Sequence, residues 1–111
     1  MKRVNEDELK FRKGDSGPKY LLRGPRIDWG VLVLKPGETL GSHFHNEVEE
    51  TFFFLQGSPI VKVNGQEIRA RVGDAFLMEP KDQHDIINDG AEPTKMVFMK
   101  SPYLPDDKVD C

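Results

Sequence analysis

The sequence predicts a single all-β domain, and three observations support that fold class. Residues 20 to 100 contain short apolar runs separated by glycine, proline or asparagine about every ten residues. The same range has no sustained helical periodicity, and only Glu6 to Arg12 favours a helical turn. The chain of 111 residues has room for one ordinary domain. Many short strands with regular turn signals are typical of a β-sandwich or barrel.

The first predicted strands lie before Pro36. A strand-like segment begins at Tyr20, is interrupted by Gly24 and Pro25, and continues from Ile27 to Leu34. Successive residues from Val31 to Leu34 are all apolar. Both faces of that strand are therefore expected to be buried.

The segment from Thr51 to Leu55 contains three consecutive phenylalanines. In an extended strand Phe53 faces away from its two neighbours, so a single barrel would leave its ring in water. We expect a homodimer in which a second copy covers Phe53. The alternative is that a loop or the N-terminal arm of the same chain covers it.

Residues 60 to 72 predict a β-hairpin, because Asn64 and Gly65 supply the two positive φ angles that a type I′ turn needs. Further short strands are predicted at 75–79, 84–88 and 95–99. The pattern as a whole divides the chain into an N-terminal arm (1–18), one barrel domain (19–101) and an extended, partly mobile C-terminal tail (102–111).

The histidines give the clearest indication of chemistry. His43 and His45 are one residue apart, so an extended strand places both imidazoles on one face. His84 is the third and last histidine of the chain. Neutral imidazole binds zinc, copper, iron and nickel, and a nearby carboxylate adds an oxygen donor that also suits manganese. A lone histidine on a strand is more often a structural residue, but three candidate ligands favour a metal site.

The residues around this pair resemble a known motif. The spacing of Gly37, His43, His45, Glu50 and Gly57 is similar to the first conserved motif of the cupin superfamily.

A second stretch resembles the second motif of the same family. Gly73, Pro80, His84 and Asn88 follow its order, and the gap of 15 residues between the motifs, 58 to 72, resembles that of short cupins. The family usually has a glycine soon after the proline, whereas this chain has Lys81, Asp82 and Gln83.

The resemblance implies a double-stranded β-helix, which is a small jelly-roll barrel. It also implies one divalent transition metal per chain, either iron, manganese, nickel, copper or zinc. The implied metal ligands are His43, His45, Glu50 and His84.

The identity of the carboxylate ligand depends on the turn after His45. Strict alternation from His45 brings Glu49 to the same face, whereas a turn at Asn46 and Glu47 resets that parity. The family spacing to Gly57 favours Glu50, with Glu49 as its rival.

If Glu50 points inward, alternation also places Phe52 and Phe54 in the wall of the cavity. Further wall candidates are Trp29, Met78, Ile86 and Met99, with Gln56 and Asn88 as polar candidates. Each of these side chains is individually more often simple core than a substrate contact.

Composition excludes several partners. The net charge is −3, so no excess of positive charge indicates nucleic acid. No apolar run approaches the roughly 20 residues that span a bilayer, and the charged N-terminal residues do not resemble a signal peptide. Cys111 is the single cysteine. We therefore expect a cytoplasmic protein that binds no nucleic acid and no membrane.

The sequence is consistent with two functions. The first is a metal-dependent enzyme that acts on a small metabolite through its oxygen atoms, with dioxygenase-like chemistry leading and isomerase or lyase chemistry possible. The second is a non-catalytic module that binds or senses a small molecule. A strongly phosphorylated ligand is disfavoured, because no arginine is predicted to point inward and no glycine-rich phosphate loop is present.

Overall fold

The computed structural model describes all 111 residues and contains ten strands in two antiparallel sheets. The strands are β1 (Gly17–Arg23), β2 (Asp28–Leu34), β3 (His43–Phe44), β4 (Glu49–Gln56), β5 (Ile60–Val63), β6 (Gln66–Arg69), β7 (Ala75–Met78), β8 (His84–Ile87), β9 (Thr94–Ser101) and β10 (Val109–Asp110). The first sheet has the order β1-β2-β9-β4-β7, and the second has the order β10-β3-β8-β5-β6. The predicted double-stranded β-helix is confirmed.

Alternation along the strands builds the core between the two sheets. In β4, Phe52 and Phe54 are buried, whereas Phe53 and Leu55 between and after them are exposed. The buried cluster draws on both sheets, with Phe52 and Phe54 from the first and Val61 and Ile86 from the second. Removing these side chains from water is the main source of stability for such a barrel.

The outer face of β2 is covered by the N-terminal arm. Val31 is only 4% exposed, although its neighbour Leu32 points into the core. Lys19 pairs with Val31 across the sheet, lies 4.0 Å from the centroid of the Phe11 ring and donates to the backbone oxygen of Glu6. The arm therefore packs on this part of the first sheet, and both faces of β2 are buried as predicted.

The arm does not reach β4. Phe53 is 41% exposed and Leu55 is 43% exposed, so the alternative in which the arm of the same chain covers Phe53 is wrong. Leu77 and Met99 are exposed on the same outer face. Met99 was expected in the cavity wall, but it alternates with the buried Phe98 and consequently points outward.

The predicted hairpin is present. Asn64 has φ of 50° and Gly65 has φ of 85°, and Val63 pairs with Gln66 on either side of them. These two positive φ angles match the type I′ turn that the Asn-Gly pair predicts.

The C-terminal tail folds back onto the second sheet. Val109 and Asp110 form β10 and pair with Phe44 and His43 of β3. The tail was expected to be extended and partly mobile. It is extended, but its backbone pairs with the edge of β3 and thereby reaches the histidines.

Gly30 makes room for an aromatic pair beside the core. A Cβ atom at Gly30 would lie 2.1 Å from the carbonyl oxygen of Lys19, so no larger residue fits without moving the backbone. Tyr20 and Phe98 are the strand neighbours of Gly30, and their ring centroids are 5.0 Å apart in an edge-to-face arrangement. The glycine thus helps to position the Tyr20 ring.

The only helix is the short 3-10 turn at Glu6–Glu8. No helix of the structure has the length and apolar character needed to cross a membrane.

Candidate metal centre

The three histidines come from the second sheet and the glutamate from the first. His43 lies on β3 and pairs directly with His84 of β8, and His45 follows β3 by one residue. Glu50 lies on β4 of the facing sheet. The four side chains therefore meet between the two sheets, and the site needs residues from several strands.

The potential ligand atoms are close together and buried. One nitrogen from each histidine and one oxygen of Glu50 all lie within 4.8 Å of one another. The Glu50 Oε1 atom is 3.2 Å from His45 Nε2, 3.3 Å from His84 Nε2 and 3.9 Å from His43 Nε2. All four residues are at most 5% exposed.

Backbone carbonyls fix the orientation of each imidazole. The Nδ1 atoms of His43 and His84 lie 2.8 Å from the carbonyl oxygens of Gly41 and Asp82, respectively. The Nδ1 atom of His45 bonds to the carbonyl oxygen of Asp107. Because a carbonyl only accepts, each Nδ1 carries the proton and each Nε2 presents a lone pair to the centre. This is the arrangement of supporting bonds that metal-binding histidines use.

This set of donors fits a metal ion. Three Nε2 lone pairs and an ionised carboxylate are all hydrogen-bond acceptors, so they repel one another unless a proton or a cation lies between them. Imidazole nitrogen with one carboxylate oxygen suits a divalent transition metal. The buried His43, His45, Glu50 and His84 cluster can therefore hold one metal ion.

The pKa values of Glu50 and His45 both depend on burial and on their contacts with each other. Burial raises the pKa of Glu50, but the three neighbouring imidazoles, which can share a proton with the carboxylate, favour its ionised form by more and hold the pKa well below its ordinary value. Burial lowers the pKa of His45, whereas its bonds to Glu50 and to the Asp107 carbonyl raise it by more. Without a metal, the centre would therefore retain its negative charge and attract a proton to His45.

Asp107 holds the loop that connects His45 to Glu50. Its carboxylate accepts hydrogen bonds from the backbone N–H groups of Asn46, Glu47 and Val48 at 3.0, 2.8 and 2.9 Å. Burial raises the pKa of Asp107, but these three bonds lower it by more. Because the backbone carbonyl of Asp107 also accepts from His45, one tail residue supports both the loop and a potential ligand.

The same loop decides which glutamate reaches the centre. Residues 45–48 leave the strand conformation, so the alternation that starts at His45 is reset before β4 begins. Glu50 is consequently buried beside the histidines, whereas Glu49 is exposed.

The turn before His84 keeps its shape without the glycine that is usual in the family. Lys81 has φ of 75°, a left-handed conformation that glycine adopts more readily. Its backbone N–H donates to the carbonyl oxygen of His45 at 2.7 Å, and the next carbonyl, of Asp82, binds His84. The departure from the motif therefore does not displace His84.

A cavity of about 70 Å³ opens beside the centre. Its apolar wall includes Phe52, as predicted, together with Leu32 and Phe98. The complete lining consists of Arg12, Pro18, Tyr20, Leu32, Leu40, His43, His45, Glu50, Phe52, Phe98, Lys100 and Lys108. The cavity gives a small molecule access to His43, His45 and Glu50, whereas His84 is not part of its lining.

Three buried wall candidates pack elsewhere in the core. Phe54 is completely buried against Phe76, with ring centroids 5.7 Å apart, and it does not line the cavity. Met78 and Ile86 also belong to the buried cluster rather than to the cavity wall.

The other three candidates have structural positions. Asn88 donates to the carbonyl oxygens of Leu34 and Glu92, so its amide is used to tie strand ends together. Gln56 is exposed, because a bulge after Phe54 breaks the alternation that was expected to turn it inward. Trp29 lies on the outer face, opposite Met99, since its neighbours Asp28 and Gly30 take the inward positions.

Sequence reasoning missed the charged and phenolic part of the cavity wall. Tyr20, Lys100, Arg12 and Lys108 all line it. Lys100 was predictable in principle, because it is two residues from the inward-facing Phe98 on β9. Arg12 and Lys108 come from the arm and the tail, where no strand pattern indicates a direction.

A barrel of two facing sheets with three imidazoles and one carboxylate at its centre defines a double-stranded β-helix protein with a candidate metal site. The family model for the cupin domain, Cupin_2, matches residues 30–100. The chain therefore belongs to the cupin family.

Individual relatives agree with that assignment. The tetracenomycin polyketide synthase protein TcmJ of Streptomyces glaucescens is 34% identical over 76 residues, which make up 68% of this chain and 51% of that protein. The chain thus spans about half the length of the curated relatives it matches.

Two solved structures share the fold over nearly all of both chains. A conserved protein with a double-stranded β-helix domain from Klebsiella pneumoniae has a TM-score of 0.84 and 22% identity, covering 100% of this chain and 97% of that one. KdgF from Halomonas sp. has a TM-score of 0.82 and 18% identity, covering 96% of this chain and 97% of that one. Likeness at these identities establishes the fold alone.

Replacing Asp107 with alanine is expected to weaken metal binding by about 10- to 100-fold, the usual effect of losing a group that supports a ligand. The 46–48 loop loses its three hydrogen bonds, so His45 and the Asp107 carbonyl are no longer held in place. Competition with a coloured chelator measures the affinity. The matched control is Asp106→Ala, which changes the exposed neighbouring carboxylate. Equal affinities of the two variants would contradict the role of Asp107.

Metal affinity is expected to fall as the pH is lowered through the pKa of His45, which is raised above 6.5. Below that pKa a proton competes for Nε2, and each displaced proton costs about tenfold in apparent affinity per pH unit. Glu50 stays ionised in this range, because its pKa is lowered. Equilibrium dialysis at a series of pH values measures retained metal. Full occupancy at strongly acid pH would rule out ligation by the imidazoles.

Proposed function

We propose that this cupin binds one divalent transition metal per chain through His43, His45, Glu50 and His84, and that it is a metal-dependent enzyme acting on a small oxygen-bearing metabolite. The observation that carries the proposal is the convergence of three Nε2 lone pairs and a carboxylate beside an open cavity. The candidate metals are iron, manganese, nickel, copper and zinc.

The four protein ligands leave two positions free on a six-coordinate metal, or one if Glu50 binds through both oxygens, and free positions allow a substrate to bind. When bound, the metal would polarise an oxygen of the substrate and, if redox-active, exchange electrons with it. The chain itself supplies the surroundings. Leu32, Phe52 and Phe98 form an apolar wall that excludes water and accommodates the carbon skeleton of a small ligand.

Dioxygenase-like chemistry is the leading reaction class, because a buried, histidine-rich centre beside the apolar side chains Leu32, Phe52 and Phe98 keeps a redox metal away from bulk water. Isomerase or lyase chemistry is the other catalytic possibility, since one fold supports many reactions. Oxygen uptake during turnover separates the two classes.

A non-catalytic module that binds or senses a small molecule is the alternative, and one observation favours it. Glu50 is the only carboxylate in the cavity, and the histidines are all directed at the centre. No additional carboxylate or imidazole is therefore available as a general base. A ligand that stabilises the protein in a thermal-shift screen and is recovered unchanged would support this alternative, whereas a converted ligand would support the enzyme.

We also propose that a second copy of the chain covers the outer face of the first sheet. The support is the group of exposed apolar side chains that the arm leaves uncovered, namely Phe53, Leu55, Leu77 and Met99. Exposed apolar side chains that adjoin one another are typical of subunit interfaces.

Purified protein is expected to contain close to one transition metal ion per chain, and Glu50→Gln is expected to lose most of it. The amide keeps the size of the side chain but removes the negative charge that offsets the cation. Plasma mass spectrometry of protein prepared without an affinity tag measures the content. Glu49→Gln, an exposed neighbour, is the control and should keep its metal. Loss from Glu49→Gln with retention in Glu50→Gln would contradict the assignment.

Size-exclusion chromatography with light scattering is expected to give the mass of a homodimer for the wild-type chain. Phe53→Lys should shift the protein to monomer, because it places a charge in the proposed interface. Ile68→Lys is the control, since Ile68 is comparably exposed but lies on the second sheet. A monomeric wild-type protein would overturn the dimer.

A further inference from the structure

Lys100 brings a positive charge to the wall of the metal cavity. It lies on β9, two residues after the buried Phe98, and it lines the cavity together with Glu50. Its position across the sheet is opposite Glu50 on one side and Asp28 on the other. Two carboxylates are thus its nearest strand neighbours.

Asp28 and Glu50 each have other partners, although the positive charge of Lys100 also helps to lower the pKa of Glu50. Asp28 accepts two hydrogen bonds from Arg23, at 2.9 and 3.0 Å, and Glu50 is surrounded by the three histidines. Lys100 consequently forms no salt bridge and donates only to the Tyr20 hydroxyl, at 2.7 Å. An ammonium group has three donors, so two of them remain free for another acceptor.

Tyr20 adds a second donor at the same place. Its oxygen accepts from Lys100, which leaves its own O–H free to donate. The ring is held by the edge-to-face contact with Phe98. An ammonium and a fixed phenol therefore stand side by side in the cavity wall.

Two further cationic side chains, Arg12 and Lys108, also line the cavity, so the lining has three cationic side chains and one carboxylate, Glu50. The Lys108 ammonium is paired with the exposed Asp110 carboxylate at 3.3 Å. An adjoining cavity of about 300 Å³ shares Arg12, Lys100 and Lys108, but it is also lined by Arg23 and by three carboxylates, Asp28, Asp106 and Asp107, so the excess of positive charge belongs to the smaller cavity. These charges collect on a chain whose net charge is −3, and they would attract an anion.

We propose that the cavity takes a small organic carboxylate, whose carboxylate group is bound by Lys100 Nζ and the Tyr20 hydroxyl while its remaining oxygens face the metal-ligand residues. The inference rests on the proposed function, because the second end of the molecule needs the metal centre. The ammonium and the phenol can each donate to one of the two oxygens of a carboxylate, and such charge-assisted bonds are strong. The volume of about 70 Å³ has room for about five to seven water-sized groups, which matches a small diacid.

Two probes of similar shape test whether the cavity prefers a negatively charged ligand to a neutral one. Malonate has two carboxylates, and malonamide replaces both of them with neutral amides. Isothermal titration of metal-loaded wild-type protein is expected to show malonate binding at least about tenfold more tightly, since a hydrogen bond to a charged group strengthens binding by at least that factor.

Lys100→Met is expected to reduce the ratio of the two affinities by about tenfold at unchanged metal content, and Tyr20→Phe to reduce it less. Lys62→Met, which changes an exposed lysine on the second sheet, is the control and should keep the wild-type ratio. Equal binding of both probes by the wild-type protein would overturn the proposal. An unchanged ratio in Lys100→Met would also overturn it, because the metal alone would then explain the preference.

Metal analysis of each preparation separates this inference from the proposed function. If no preparation holds metal, the proposed function fails. A preference for malonate in that metal-free protein, lost in Lys100→Met, would still support the carboxylate site. The absence of any preference, with or without metal, would overturn it.

Discussion

The structure depends on the convergence of three imidazoles and one carboxylate between two apolar sheets. Each imidazole of His43, His45 and His84 directs its Nε2 atom inward, because a backbone carbonyl binds its Nδ1 proton. Polar groups buried in this way are costly unless they are satisfied. A cation between them would supply the positive charge that the surrounding apolar side chains do not. The buried polar groups that are costly to the core therefore also form a suitable metal site.

Residues of the N-terminal arm and the C-terminal tail contribute to the metal centre and its cavity. Asp107 holds the loop after His45, and Lys108 and Arg12 line the cavity from the tail and the arm. Strand register then places Lys100 opposite Glu50. Segments far apart in the sequence therefore set the charge of the cavity and the orientation of a ligand. Substitutions in these segments could change which ligand binds without changing the barrel.

The sequence was sufficient where short-range rules apply. Alternation predicts that His43 and His45 share a face, and the Asn64 and Gly65 turn follows from local backbone preference. Alternation alone could not decide between Glu49 and Glu50, because the loop that resets the parity is held by Asp107, about 60 residues away, and only the family spacing favoured Glu50. Gln56 was misplaced for a related reason, since a bulge in the register of β4 and β9 interrupts the alternation.

The most direct test of the metal centre is a crystal structure with diffraction data collected on both sides of the absorption edge of the metal found in the protein. One anomalous peak is predicted, within bonding distance of the Nε2 atoms of His43, His45 and His84 and of a Glu50 carboxylate oxygen, at about 2.0 to 2.2 Å if the ion is zinc. Absence of a peak at the cluster after incubation with each of the five candidate metals, with the rings still bonded to their carbonyls, would contradict it.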